Sequence, residues 1–151
     1  MIYRAAVAAD LPSIVRLLAD DTLGADREDV RLPLDARYVT AFEAIDLDPH
    51  QLLAVAADEE DIVGTLQISF IHGLARKGSL RGQIEAVRIA SSHRGMGLGE
   101  GFIRWAIEEC RARGCAMVQL TSDKKRLQAH RFYERLGFAG SHVGYKLPLL
   151  G

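Results

Sequence analysis

Four glycines fall within seven residues, Gly95, Gly97, Gly99 and Gly101, in the run Arg94-Gly95-Met96-Gly97-Leu98-Gly99-Glu100-Gly101. The run lies between a stretch that reads as a strand and one that reads as a helix. Glycines there let the backbone turn sharply and let a ligand approach without Cβ atoms in the way. The first N–H groups of a helix have no internal partners, and the helix dipole places partial positive charge on them. A phosphate is the natural occupant, and Arg94 adds a charged fork beside it. A tight strand–helix turn with no ligand would carry the same glycines. The dinucleotide fingerprint G-x-G-x-x-G fails, because counting from Gly95 its last position is Glu100, and the triphosphate loop ending G-K-S/T is absent. Metal chemistry has no framework here. The five histidines, His50, His72, His93, His130 and His142, are scattered, and Cys110 and Cys115 do not form a C-x-x-C pair. Reduced thiols and no metal are expected.

The elements that must position this run follow from periodicity. Ile2 to Ala6 reads as a first strand. Asp10 reads as an N-cap with Pro12 in the first turn. Leu11, Ile14, Val15 and Leu18 then repeat at helical spacing over residues 11–20. Residues 21–34 form a loop, and a second helix is expected from Asp35 to Ile45. Strands Leu52–Ala57 and Ile62–Ile71 pair through the acidic turn Asp58-Glu59-Glu60-Asp61. Residues 72–82 are a loop or frayed strand ends. Gln83–Ala90 is a strand, and a helix from Leu98 to Arg113 carries Leu98, Phe102, Trp105, Ala106 and Cys110 on one face before Gly114 ends it. Met117–Thr121 is a strand. A short helix follows with Ala129, Phe132, Tyr133 and Leu136 on one face, and Phe138–Leu147 is expected as a final strand. The order β-α-α-β-β-β-α-β-α-β points to a mixed α/β sheet with helices on both faces.

The chain has 151 residues, 48% hydrophobic and 26% charged, with a net charge of -1 and 14 glycines. That is the size and balance of a single globular domain spanning residues 1–151. It excludes a coiled coil, a membrane-spanning protein and a two-domain enzyme. The near-zero charge argues against a nucleic-acid or anionic-membrane partner. The start, Met1-Ile2-Tyr3-Arg4-Ala5, has no basic segment followed by an apolar core, so a cytoplasmic location is expected.

Arg94-x-x-Gly97-x-Gly99 matches R/Q-x-x-G-x-G/A, the signature of the GNAT family of N-acetyltransferases. The segment QIEAVRIASSHRGMGLGEG at 83–101 resembles that family's core strand and loop from end to end. Ala129-His130-Arg131-Phe132-Tyr133-Glu134-Arg135-Leu136-Gly137-Phe138 resembles its A-x-x-F-Y-x-x-x-G-F element. Both stand in the family's order, and the resemblance covers residues 83–138. It implies a mixed, mostly antiparallel sheet of six to seven strands that splays beside an acetyl-CoA loop. The pantetheine arm would lie along Val87-Arg88-Ile89, bonded by main-chain groups of Val87 and Ile89. Arg94, Gly95, Met96, Gly97, Leu98, Gly99 and Glu100 would hold the pyrophosphate.

The implied chemistry is attack of an amine on a thioester, for which a base must take a proton from the amine. Glu85, nine residues before Arg94, matches the position of the family's carboxylate. Strand alternation places it on one face with Val87 and Ile89, where partial burial would raise its pKa. As a residue alone, it is equally a charged group on a solvated sheet face. Tyr133 matches the family's acid, which protonates the leaving thiolate; as a residue alone it is a core tyrosine beside Phe132. Relatives often place a cofactor-bonding asparagine just before this helix, where this chain has Asp123 or Arg126. Lys124, Lys125 and Arg126 are candidates for a cofactor phosphate or a solvated turn. Bacterial small-molecule members are the most similar, which implies a small primary amine as acceptor. Tyr38, Phe42 and the His72–Gly82 loop are expected as its walls. Dimers are common in the family, and a homodimer is a possible assembly. Competing readings are a coenzyme A sensor without turnover and a protein or tRNA acceptor.

Overall fold

The computed structural model describes residues 1–150. β1 (Ile2–Ala5) is followed by a 3-10 turn, α1 (Leu11–Ala19) and α2 (Ala36–Leu47). β2 (Gln51–Asp58) and β3 (Asp61–Ile71) form a hairpin, a single turn α3 (Ala75–Gly78) precedes β4 (Arg81–Ile89), and α4 (Leu98–Ala112), β5 (Met117–Leu120) and α5 (Leu127–Arg135) complete the order. The sheet runs β1-β2-β3-β4-β5, antiparallel throughout except for the parallel β4–β5 pair. Among the described residues it has five strands where six to seven were expected.

The missing strand is the expected one at Phe138–Leu147. Gly137 turns the chain at φ 100, and the segment after Phe138 joins no ladder among the described residues. Val143, Tyr145, Leu147 and Leu149 keep the period-two pattern of a strand, yet all four are exposed. Two smaller departures are local. Asp10 does not cap α1: its buried carboxylate turns back to accept the Val7 N–H at 2.9 Å and two Arg4 N–H groups at 2.7 and 3.1 Å. In α3, Arg76 and Lys77 both adopt left-handed backbone (φ 57 and 60).

Helices cover both faces, as alternation requires. Ala54, Leu66, Ile68 and Ile84 project from one sheet face onto Phe102, Ile103, Ala106 and Cys110 of α4, all fully or almost fully buried. Val55 on the other face packs with Leu11 and Ile14 of α1 and Phe42 of α2. Gly82 is glycine for a reason: a Cβ there would overlap the Cys110 sulfur. Burial, followed by neighbouring Cys115, pushes the Cys110 thiol up to about 12, and both cysteines are free.

The register fixes which loops meet. Gln51, Ile71, Arg81 and Met117 mark one end of the sheet; Asp58, Asp61, Ile89 and Leu120 mark the other. The glycine run follows β4 at the second end. The loop after α1 and the loop between β5 and α5 reach that same end.

Candidate functional site

β4 and β5 are paired only from Arg81↔Met117 to Ile84↔Leu120. Beyond that point β5 stops while β4 continues through Ile89, so the β4 backbone from Glu85 onward has no strand on its β5 side. This is the expected splay, and the glycine run stands at its mouth. An extended ligand could pair there as an added strand. A bulge lies in the same stretch. Gln67 opposes Glu85 and Thr65 opposes Arg88, so Leu66 alone faces Ala86 and Val87, and Ala86 takes φ 53.

The bulge corrects the expected alternation. It shifts the period by one, so Glu85 and Arg88 share the α1–α2 face while Val87 and Ile89 pack toward α4. Glu85 is exposed, and the expected burial beside two apolar residues does not occur. The carbonyls of Val87 and Ile89 accept from arginine side chains, Arg88 Nη1 at 2.9 Å and Arg94 Nε at 3.2 Å.

The glycine run forms an open cradle. Gly95 and Gly97 both take φ 78, a conformation that disfavours other residues, and a Cβ at either would meet nothing within 4 Å. Gly97 is the N-cap of α4, whose first amides lack side-chain partners. Met96 is exposed, Leu98 is buried beneath the loop, and Gly99 faces the tip of Phe132, 3.5 Å from where its Cβ would stand. Arg94 also reaches the Asp20 carbonyl at 3.3 Å, tying this loop to the one after α1. The Glu100 carboxylate is turned to Arg104 at 3.1 Å, leaving its backbone N–H in the first turn of the helix.

Tyr133 lies on α5 with its ring edge-on to Phe132 and Phe138, at 5.2 and 5.9 Å between centroids. Burial raises its pKa above the ordinary tyrosine value, while the charges of Arg126 and Arg88 pull it down by less. Arg126 stands immediately before α5 and donates to Asp21 Oδ2 at 2.5 Å. Asp123 instead shapes its own loop, accepting the Lys125 N–H at 2.8 Å on its carboxylate and the His130 ring at 2.8 Å on its carbonyl. Lys124 and Lys125 are exposed.

Two of the expected acceptor walls are elsewhere. Phe42 is buried in the core between α2 and β2. The His72–Gly82 loop connects β3 and β4 at the end of the sheet opposite the glycine run. Tyr38 remains near the glycine end, where its hydroxyl donates to Glu28 at 2.8 Å and accepts the Asp29 N–H at 2.9 Å. Asp21 was missed, because one acidic residue in a polar loop carries no spacing signal. Among the described residues no group of three or more histidine, cysteine or acidic side chains gathers as metal ligands, and no helix is long and apolar enough to cross a membrane.

The profile of the acetyltransferase (GNAT) family matches residues 12–138. The chain belongs to the GNAT family. It is therefore an acyltransferase of the kind its relatives are named for. Over 108 residues it is 32% identical to the aminoalkylphosphonate N-acetyltransferase of Salmonella typhimurium, covering 72% of this chain and 70% of that one. Over 88 residues it is 38% identical to the glucosamine 6-phosphate N-acetyltransferase of Trypanosoma brucei brucei, covering 58% of each. A crystal structure described as a transcriptional regulator from Bacillus halodurans C-125 superposes with a TM-score of 0.96 at 47% identity, covering 98% of this chain and 99% of that one. GNAT acetyltransferases use acetyl-CoA as cosubstrate.

Proposed function

We propose that this GNAT protein moves the acetyl group of acetyl-CoA to the primary amine of a small molecule, with Glu85 as base and Tyr133 as acid. The observation that carries the reading is the splayed β4–β5 pair with an open glycine cradle at its mouth. The cradle fits a pyrophosphate: two left-handed glycines leave room for anionic oxygens, and the first amides of α4 supply donors with dipole support. Arg94, Gly95, Met96, Gly97, Leu98, Gly99 and Glu100 hold the pyrophosphate in this reading, and Val87 and Ile89 align the pantetheine arm in the splay. Acetyl-CoA supplies an activated acetyl thioester.

Glu85 takes the proton of the attacking amine, directly or through water; its exposure on the α1–α2 face leaves it open to an acceptor entering from that side. Tyr133 gives its hydroxyl proton to the departing sulfur. Burial keeps that hydroxyl protonated, as an acid must be before transfer. Of Asp123 and Arg126, Arg126 is the one whose side chain turns into this end of the sheet. The named activities of the Salmonella and Trypanosoma relatives support a small-molecule amine as acceptor. A cytoplasmic location and a homodimer complete the reading; the exposed apolar alternation from Val143 to Leu149 supports the homodimer.

The description of the Bacillus halodurans protein favours a second reading, a coenzyme A-binding regulator without turnover. A screen of amines with acetyl-CoA and thiol detection separates the two. Turnover with at least one small amine is expected. Acetyl-CoA binding with no amine ever acetylated, or a protein acceptor and no small one, would overturn the first reading.

A further inference from the structure

Two guanidinium groups converge on one carboxylate oxygen beside Tyr133. Asp21 Oδ2 lies 2.5 Å from Arg126 Nη2 and 3.5 Å from Arg88 Nη2. Arg88 rises from the sheet on the Glu85 face and is largely buried, its side chain 15% exposed. Its Nη1 is used by the Val87 carbonyl at 2.9 Å, while its Nε is buried with no partner. The edge of Arg88 that grips an oxyanion in bidentate fashion, Nε with Nη2, is thus left with one long contact. A buried donor atom without a partner is costly, and an anion that reaches it removes that cost.

The remaining contact comes from a loop. Asp21 belongs to the turns after α1, where its carbonyl accepts from Gly24 and Ala25 at 3.0 and 2.9 Å. Its carboxylate occupies the place an incoming anion would take. The other charges that act on the cluster, Arg27 and Glu28, are of opposite sign, and Glu28 is engaged by Tyr38. With Asp21 turned away, Arg88 and Arg126 present two positive charges. A phosphoryl group at neutral pH carries about -1.5 to -2, which matches them; a carboxylate would leave one uncompensated.

We propose that Arg88 and Arg126 form an anion clamp for the acceptor, and that the acceptor is a primary amine bearing a phosphate or phosphonate group. This deepens the transferase reading and rests on it. Arg88 shares a face with Glu85 and is turned from the Val87–Ile89 face, so the clamp opens on the acceptor side, and the clamped anion would leave the amine end free to reach both the base and the thioester. Asp21 fills the clamp while the site is empty and leaves when the anion enters.

Three amines test this: aminoethylphosphonate, β-alanine and propylamine, assayed for kcat and KM with acetyl-CoA. The phosphonate is expected to be the best substrate, with kcat/KM at least about tenfold above either of the others, the scale of one charged hydrogen-bond pair. Arg88→Met should erase that preference through KM, with the dissociation constant for acetyl-CoA within about twofold of wild type, and Arg88→Lys should restore only part of it. Arg126→Met reads the same clamp if Arg88→Met fails to fold, provided its dissociation constant for acetyl-CoA also stays within about twofold of wild type; a larger change would assign Arg126 to the cofactor and overturn its place in the clamp. Equal use of phosphonate and propylamine overturns the clamp while leaving the transferase intact. Preference for β-alanine overturns the phosphoryl assignment. If Arg88→Met instead erases discrimination between acetyl-CoA and acetyl-dephospho-CoA, the clamp serves the cofactor and the proposal falls. Titration of aminoethylphosphonate into the coenzyme A-bound protein separates the two layers: saturable binding without turnover in any assay upholds the clamp and sinks the transferase reading, and no binding sinks the clamp.

Discussion

Tyr133 is held between opposing influences. Burial raises its pKa, and two nearby arginine charges pull it down without overcoming burial. In the proposed role of acid it must carry its proton at the start of transfer, so activity is expected to be lost as pH rises through its raised pKa. With an ordinary tyrosine value of about 10, the alkaline fall of kcat is expected above about pH 10. A fall well below that, in an enzyme still folded by circular dichroism, would assign it to another group. Arg88→Met removes one of the lowering charges and should move the alkaline limb further up. Asp10 makes a separate case in the scaffold. Its bonds to Arg4 hold its carboxyl below the usual aspartate range, so it contributes stability above the unfolded value, lost as pH falls through the lower folded one. Asp10→Asn should cost about 1.5–3 kcal/mol at neutral pH and little in acid, read by urea unfolding at both pH values.

The glycine run is an element in its own right. Gly97 caps α4 in the left-handed region with open space around it, so Gly97→Ala meets no clash and only backbone strain. About 1–2 kcal/mol of stability should be lost, together with affinity for acetyl-CoA, as measured by thermal unfolding and calorimetric titration. Unchanged affinity would remove the cradle from the cofactor site. The run was legible in the sequence because its glycines mark backbone geometry directly. The strands and helices were legible because alternating and helical apolar spacing survives in Leu52–Ala57, Ile62–Ile71 and Leu98–Arg113. The bulge at Ala86 was not. Alanine gives no sign of a left-handed backbone, and a single inserted residue turned Glu85 and Arg88 to one face and Val87 and Ile89 to the other. The segment after Phe138 shows the converse. Its alternation is real, but a strand exists only where a ladder receives it, and the sequence of one chain does not say whether one does.

At the scale of the whole molecule, one core holds the sheet against α4 and leaves the other face to α1, α2 and the site. Phe102 is fully buried at the centre of that core and stacks on Tyr3 at 5.2 Å between centroids. Phe102→Ala should cost about 3–5 kcal/mol, seen as a lowered unfolding midpoint. Because Phe102 lies one turn from Gly99, the same substitution should also loosen the cradle and weaken acetyl-CoA binding. The loops of the candidate site all gather at the sheet end where β4 outruns β5: Asp20–Asp21 after α1, the glycine run, and Arg126 before α5. The opposite end, with the His72–Gly82 loop, is left outside the site.

In the proposed reaction the acetyl group of acetyl-CoA passes to the nitrogen of a small amine and Tyr133 supplies the proton. Mass spectrometry follows the acetyl group, comparing wild type with Tyr133→Phe on one amine. Wild type should place the acetyl group on the amine nitrogen. Tyr133→Phe should bind acetyl-CoA with near-normal affinity and turn over at least about tenfold more slowly, at the low end of what a positioned acid contributes. Equal rates in the two proteins, or no acetylated amine from wild type, would contradict it.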